Sequence, residues 1–244
     1  HMKTKQLIPV TLLTIVVLAI LTKGYILNLN SVYFSNSGDG LKSYYCAYYH
    51  AQYDSTSSHF EGMNYPWGES MSFTDGQTPL ANTVSFIDKH LFPCVHKMVG
   101  IFNFMMILSV FLSVIFLFLI LKKFKLPDWY ATILAIGISL LSPQIGRFMG
   151  HFSLAWLCWI PMLVYLMIRI IEKESWVKSN VFALVTLLAS LMHMYFFLFS
   201  AALIGIYWLD KLFFQRAWNK NWKALIHPFI QIVLPFIIIQ VVMN

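Results

Sequence analysis

The sequence predicts an all-α polytopic membrane protein: about seven transmembrane helices and one large external loop that carries two in-plane amphipathic helices. Three observations point there. The 244 residues are 59% hydrophobic and only 11% charged, with a mean hydropathy of +0.68, which leaves too little polar surface to cover a soluble core. Apolar runs recur at lengths near the roughly 20 residues that a helix needs to cross a bilayer. Basic residues cluster between those runs, as they do when they mark cytoplasmic ends. The net charge of +7 is therefore a topology signal, and no nucleic-acid partner is expected.

The first run, "LIPVTLLTIVVLAIL", continues past its lysine-bearing front without a small-residue cleavage site, so residues 6–27 read as a retained anchor. His1 precedes a natural start expected at Met2. Further spans are expected near 98–121, 129–145, 152–171 and 228–243. The stretch 180–209 is too long for one helix and has "MHMYF" at its middle, which makes it two short helices turning at His193. With the N-terminus inside, Lys3, Lys5, Lys122, Lys123, Lys125, Arg169, Lys173, Lys178, Lys211, Arg216, Lys220 and Lys223 face the cytoplasm, twelve of the 17 Lys and Arg. Residues 28–97 fall outside, with six acids (Asp39, Asp54, Glu61, Glu69, Asp75, Asp88) against three lysines. Three parts follow: an anchor over 1–27, an extracytoplasmic loop over 28–97, and the remaining spans over 98–244. Asn244 comes directly after an apolar run, and a C-terminal continuation is expected beyond it.

About 70 residues between adjacent spans are far more than a turn requires, and loops longer than about 15 residues are usually functional or disordered. This loop is rich in Tyr, Phe, Trp and Met, which suits an ordered element at the membrane interface. "DGLKSYYCAYYHAQY" repeats Leu41, Tyr44, Tyr45, Tyr48 and Gln52 at helical spacing, with Asp39 at or near the N-cap. "TPLANTVSFIDKHLFP" opens with a first-turn proline and places Leu80, Val84, Ile87 and Leu91 on one face. Between them lies a turn-rich segment punctuated by Pro66, Gly68 and Gly76.

Several residues carry candidate chemistry. Asp39 is either a turn and cap residue or an ionised carboxylate able to act as a base. Arg147 and His151, four apart in the second external loop, could hold a phosphate as charge grows on a leaving group, or serve as interfacial residues. His193 sits among apolar neighbours on the same side. Glu61, Tyr65 and Glu69 are candidates for contact with an acceptor or sugar. Cys46 and Cys94 form a candidate disulfide in an oxidising compartment, and Cys158 reads as packing. His50, His59, His90 and His96 lack the spacing of a zinc site, and no metal-ligating set is assigned.

The order of these parts resembles the GT-C superfamily, membrane glycosyltransferases that use polyprenyl-phosphate-linked sugars. The resemblance covers nearly the whole chain: an N-in helix, a large external loop with two in-plane helices, an acid soon after the first span, then further crossings. It implies transfer of a sugar at the outer face of the plasma membrane, to an acceptor that is a lipid, glycan or protein. It also implies Asp39 as the catalytic carboxylate, activating the acceptor or holding a divalent cation, Mg or Mn. Several members carry an acidic pair where this chain has Asp39 followed by Gly40, and others carry acids in the second loop, where "SPQIGRFMGH" has none. A metal-independent mechanism is thus expected. The competing readings are a transporter or flippase for a lipid-linked sugar, which should show broken helices and an internal repeat, and a non-catalytic membrane protein, in which Asp39, Arg147 and His151 need not converge.

Overall fold

The computed structural model describes residues 6–215 and 222–243. Lys3, Lys5, Arg216 and Lys220 lie outside the described residues, as does the Lys223 side chain. Among the described residues the chain is mostly helical, with one short hairpin and irregular connections between the helices. It divides into two compact units, residues 1–161 and 162–244.

In the first unit, α1 (Leu7–Leu21) stops where Thr22 leaves helical geometry and returns its hydroxyl to the Leu18 carbonyl at 2.7 Å. A short α2 (Lys23–Leu27) follows. After the 28–97 segment come α5 (Met98–Lys123) and α6 (Asp128–Leu140), and a 3-10 turn over Pro143–Met149 bends away from α6 by 41°. In an apolar medium, burial of side chains does not drive helices together; close packing of small residues and interhelical hydrogen bonds do. The α1, α5 and α6 seam has that character: Ala131 and Ala135 are fully buried beside Val10, Val114 and Phe118, and the Ser113 and Ser139 hydroxyls meet at 3.0 Å.

The second unit holds most of α7 (Trp159–Glu172), then α8 (Trp176–Met192), α9 (Tyr195–Leu209) and α10 (Ile226–Val242). Ser175 caps α8 by accepting the Lys178 amide at 3.3 Å. Helix α8 ends at His193, whose extended backbone separates it from α9, so 180–209 does form two helices. Phe182, Ile204 and Trp208 fill the core between them. A polar chain crosses that core with a fixed direction: the Trp208 indole, a donor only, gives to Gln231 Oε1 at 2.6 Å, and Gln231 Nε2 gives to Ser179 Oγ at 2.8 Å. The same Ser179 hydroxyl lies 2.7 Å from His227 Nδ1.

Among the described residues two helices are long and apolar enough to cross a membrane, Val95–Lys123 and Tyr195–Phe214; a third qualifies if Asp128–Leu140 and Pro143–Met149 count as one broken span. Leu7–Leu21, Trp176–Met192 and Ile226–Val242 are apolar but shorter.

The 28–97 segment packs within the first unit. Helix α3 (Gly38–Tyr53) and α4 (Thr78–His90) flank a hairpin of β1 (His59–Phe60) and β2 (Glu69–Ser70), paired antiparallel. Of the residues that repeat at helical spacing along α3, only Tyr44 is buried. Leu41, Tyr45 and Tyr48 are exposed, whereas Gly40, Ser43, Tyr44, Cys46, Ala47, His50 and Ala51 point inward. Small residues let α3 approach its neighbours closely, and the large amphipathic rings keep the outer surface. In α4, Leu80 and Val84 are buried as expected, but Leu91 lies beyond the helix and is exposed.

The expected disulfide is corrected: Cys46 and Cys94 are both free thiols. They belong to different contacts. Cys46 packs from α3 against the Thr74 and Gly76 turn, whereas Cys94 follows α4, with its amide bonded to Asp88 Oδ1 at 2.5 Å and its thiol facing the Val84 carbonyl. Burial pushes the Cys46 thiol up to about 11.

One polar side chain ties these parts together. Asn103, fully buried in α5, donates to the Leu29 and Val32 carbonyls at 2.7 and 2.6 Å and accepts from the Tyr44 hydroxyl. That hydroxyl also accepts the Phe34 amide at 3.2 Å. Asn30 adds a second fastening, with Nδ2 on the His96 carbonyl and Oδ1 on the Gly100 amide. Replacing Asn103 by Ala strands two carbonyls and a hydroxyl, and should lower stability by about 2–4 kcal/mol, measured as a fall in the thermal midpoint in detergent; Tyr44→Phe, which strands fewer groups, should cost less. Alkylation of Cys46 by iodoacetamide in the folded protein should stay slow at pH 9, because the thiol is neutral there, and become fast on unfolding.

Candidate functional site

The N-terminus of α3 and the 143–155 segment build the site. Ser37, extended, precedes Gly38, whose φ of 53° lies in the left-handed region that glycine enters freely. The chain thereby turns into the helix with Ser37 at the cap and Asp39 in the first turn, two positions inside it. A carboxylate there is favoured by the partial positive charge of the helix N-terminus. Opposite, the Pro143–Met149 turn starts at Ser142, whose hydroxyl accepts the Gln144 amide, and ends at Gly150. His151 follows at φ 43°, a conformation uncommon for a side chain of its size.

These two segments enclose a cavity of about 320 Å³ lined by Ser37, Gly38, Asp39, Gly146, Arg147, Met149, Gly150 and His151. Asp39 thus shares one opening with Arg147 and His151, from which it is far apart in sequence. His151 Nε2 lies 3.5 Å from Asp39 Oδ2, and both side chains are about half exposed. A pair this exposed is worth at most about 1 kcal/mol, so it yields readily to a ligand. Among the described residues no acid pairs with Arg147, which is exposed and lines the cavity. The opening therefore presents one carboxylate, one imidazole and an uncompensated guanidinium, beside the amides of a helix start. That set suits an anion held next to a hydroxyl-bearing partner.

It does not suit a resident divalent cation. Asp39 is the single carboxylate lining the cavity, and Arg147 lines the same wall. No group of three or more His, Cys, Asp and Glu side chains comes together among the described residues. The position after Asp39 is also closed to a second acid. A Cβ on Gly40 would stand 2.4 Å from Ser35 Cβ and 2.5 Å from its Oγ, so the link preceding α3 requires glycine there. No step is routed through a metal.

The other expected residues lie elsewhere. Glu61, Tyr65 and Glu69 surround the hairpin: Tyr65 is almost fully exposed, Glu69 accepts from Asn64 at 2.9 Å, and Glu61 is exposed. None lines the cavity. His193 belongs to the second unit, where its ring meets Tyr195 edge-on at 4.6 Å and its Nδ1 accepts the Tyr195 amide. His50, considered only as a metal ligand in the sequence, is buried between Asp54 Oδ2 at 2.6 Å and Asn82 Oδ1 at 3.0 Å, joining α3 to α4.

Sequence reasoning missed the supports of the site. Phe152 packs edge-on against Tyr44 and Phe102, Gly150 passes close to Asp39 Cβ, and Asp75 bonds to both flanks. An isolated Asn in the apolar run "MVGIFNFMMIL" was a readable signal for Asn103; nothing local marks Phe152. Gly40→Ala should destabilise the protein by about 1–3 kcal/mol through overpacking, and Ser35→Gly in the same chain should restore much of the loss, both read from thermal unfolding.

No curated protein and no solved structure matches the chain. One family profile does, over residues 11–243, and its description is a domain of unknown function. The match spans both units, and the chain belongs to that family, DUF6311.

Proposed function

We propose that the chain is the membrane module of a GT-C-like glycosyltransferase that moves a sugar from a polyprenyl-phosphate-linked donor to an acceptor hydroxyl at the outer face of the plasma membrane. The reading includes about seven crossings, with the N-terminus cytoplasmic and the loop over 28–97 outside. The observation that carries it is the shared cavity of Asp39, Arg147 and His151. Asp39 takes the proton of the acceptor hydroxyl as its oxygen attacks the sugar carbon; the bond from that carbon to the phosphate oxygen breaks, and its electron pair leaves with the phosphate. Arg147 and His151 hold the phosphate as its charge grows, where fixed donors lower the barrier most.

A lipid-linked donor also fits the apolar groove along α1 and α5, about 320 Å³ in volume and lined by Leu18, Ile107 and Phe111. These three pack in one cluster with Ile145 and Phe148, the neighbours of Arg147. Headgroup chemistry and a surface for an isoprenoid tail thus belong to one unit.

Asp39→Asn should reduce transfer from a radiolabelled polyprenyl-phosphate sugar by about 10²–10⁴-fold without altering membrane insertion or the thermal midpoint. Arg147→Gln should raise the donor KM. Activity retained in Asp39→Asn would sink the assignment.

A further inference from the structure

Asp75 lies outside the cavity, yet it grips both of its walls. Its Oδ2 is 2.9 Å from the Ser43 hydroxyl, one turn after Asp39 on α3, and its Oδ1 accepts the Ser153 amide at 3.1 Å, two residues after His151. Its own carbonyl accepts the Ser153 hydroxyl at 3.4 Å. The Ser43 hydroxyl is equally near the Asp39 carbonyl but has one proton to give. That carbonyl already belongs to the backbone ladder of α3, and a carboxylate is the stronger acceptor.

The backbone here is held in an unfavourable form. Asp75 has φ 63° and His151 has φ 43°, and such conformations persist in non-glycine residues only where surrounding contacts over-determine them. Thr74 supplies part of that support, with its hydroxyl on the Met71 carbonyl at 2.8 Å and accepting the Gly76 amide at 3.1 Å. Gly76 fits because a Cβ there would lie 2.5 Å from the end of Met71 and 3.0 Å from Cys46 Cβ. The 74–76 turn is thus a fixed post between two walls that otherwise touch through the Asp39–His151 contact, the Gly150 approach and the ring of Phe152.

We infer that Asp75 is the positioning residue of the site: its carboxylate bridges Ser43 and Ser153, setting the separation of Asp39 and His151 so that both reach one phosphate-bearing ligand. The ligand part of this statement rests on the proposed function; the positioning part does not. Removing the carboxylate frees the His151 segment to rotate away without altering the chemistry of any cavity-lining side chain. Asn can replace Asp here, since its oxygen still accepts from Ser153 and its amide can donate to Ser43 oxygen, whose proton turns to the Asp39 carbonyl.

The test uses the full chain in detergent, with two readouts. His151 is followed by the imidazole resonance of histidine-labelled protein, assigned by its loss in His151→Gln, and inorganic pyrophosphate is titrated by calorimetry. Asp75→Ala should shift or split the His151 resonance while His50 and His227 stay unmoved. It should also weaken pyrophosphate binding about tenfold, the factor carried by one charge-assisted hydrogen bond. Asp75→Asn should restore both, and Asp75→Ala should add nothing to the affinity loss of His151→Gln, as expected for residues acting as one unit. If Asp75→Ala does not fold, Ser43→Ala removes one arm of the bridge and should displace the same resonance. An unmoved His151 resonance in the folded variant, or an Asn variant as impaired as Ala, overturns the inference. A displaced resonance in a protein whose wild type binds no pyrophosphate upholds Asp75 as the positioning residue and overturns the phosphate reading.

Discussion

The hydrogen bonds of Asn103 are the constraint on which the rest of the first unit depends. A side-chain amide in an apolar helix must have every donor and acceptor satisfied, because an unpaired one there costs several times what the same group costs in water. Asn103 meets that requirement with two carbonyls of the chain that leaves α2 and with the Tyr44 hydroxyl of α3. Three segments therefore cross at one point. Burial also raises the Tyr44 phenol well above its ordinary value, which keeps it protonated and able to donate.

From that crossing the geometry passes outward by packing. The Tyr44 ring touches Phe102, Tyr33 and Phe152, and Phe152 is the residue after His151. The same aromatic cluster thus sets the start of α3, where Asp39 lies, and the end of the 143–151 loop, where Arg147 and His151 lie. Close backbone approach completes the fit, at Gly40 under Ser35 and at Gly150 beside Asp39. These contacts explain why one acid, not two, stands at the mouth. They also leave the guanidinium of Arg147 without an acidic partner in the cavity, which favours an anionic ligand over a cation by the sign of the local charge.

Much of this was legible in the sequence. The apolar runs marked the helices, including the break at His193; the helical spacing from Leu41 to Gln52 marked α3; and Thr78–Pro79 marked the start of α4. The inward face of α3 was not legible, because it is built largely from small residues such as Ser43 and Ala47, and a helix crossing close to others buries what is small. The Cys46–Cys94 disulfide failed for a related reason: sharing a loop says nothing of which way two helix faces point.

What the sequence determined by itself was the helical class, the approximate positions of the longer helices and the chemical types available at the loop, since these depend on local periodicity and length; the spans expected at 129–145 and 152–171 are interrupted, with α-helix only over Asp128–Leu140 and Trp159–Glu172. What only the tertiary structure decided was which of those groups meet. Asp39 lies more than 100 positions from Arg147 and His151, and Asp75 and Phe152 join them through contacts that no local pattern encodes. Such contacts are selected by the satisfaction of buried polar groups and by close packing between segments remote in the chain, both of which exist only once the segments have met.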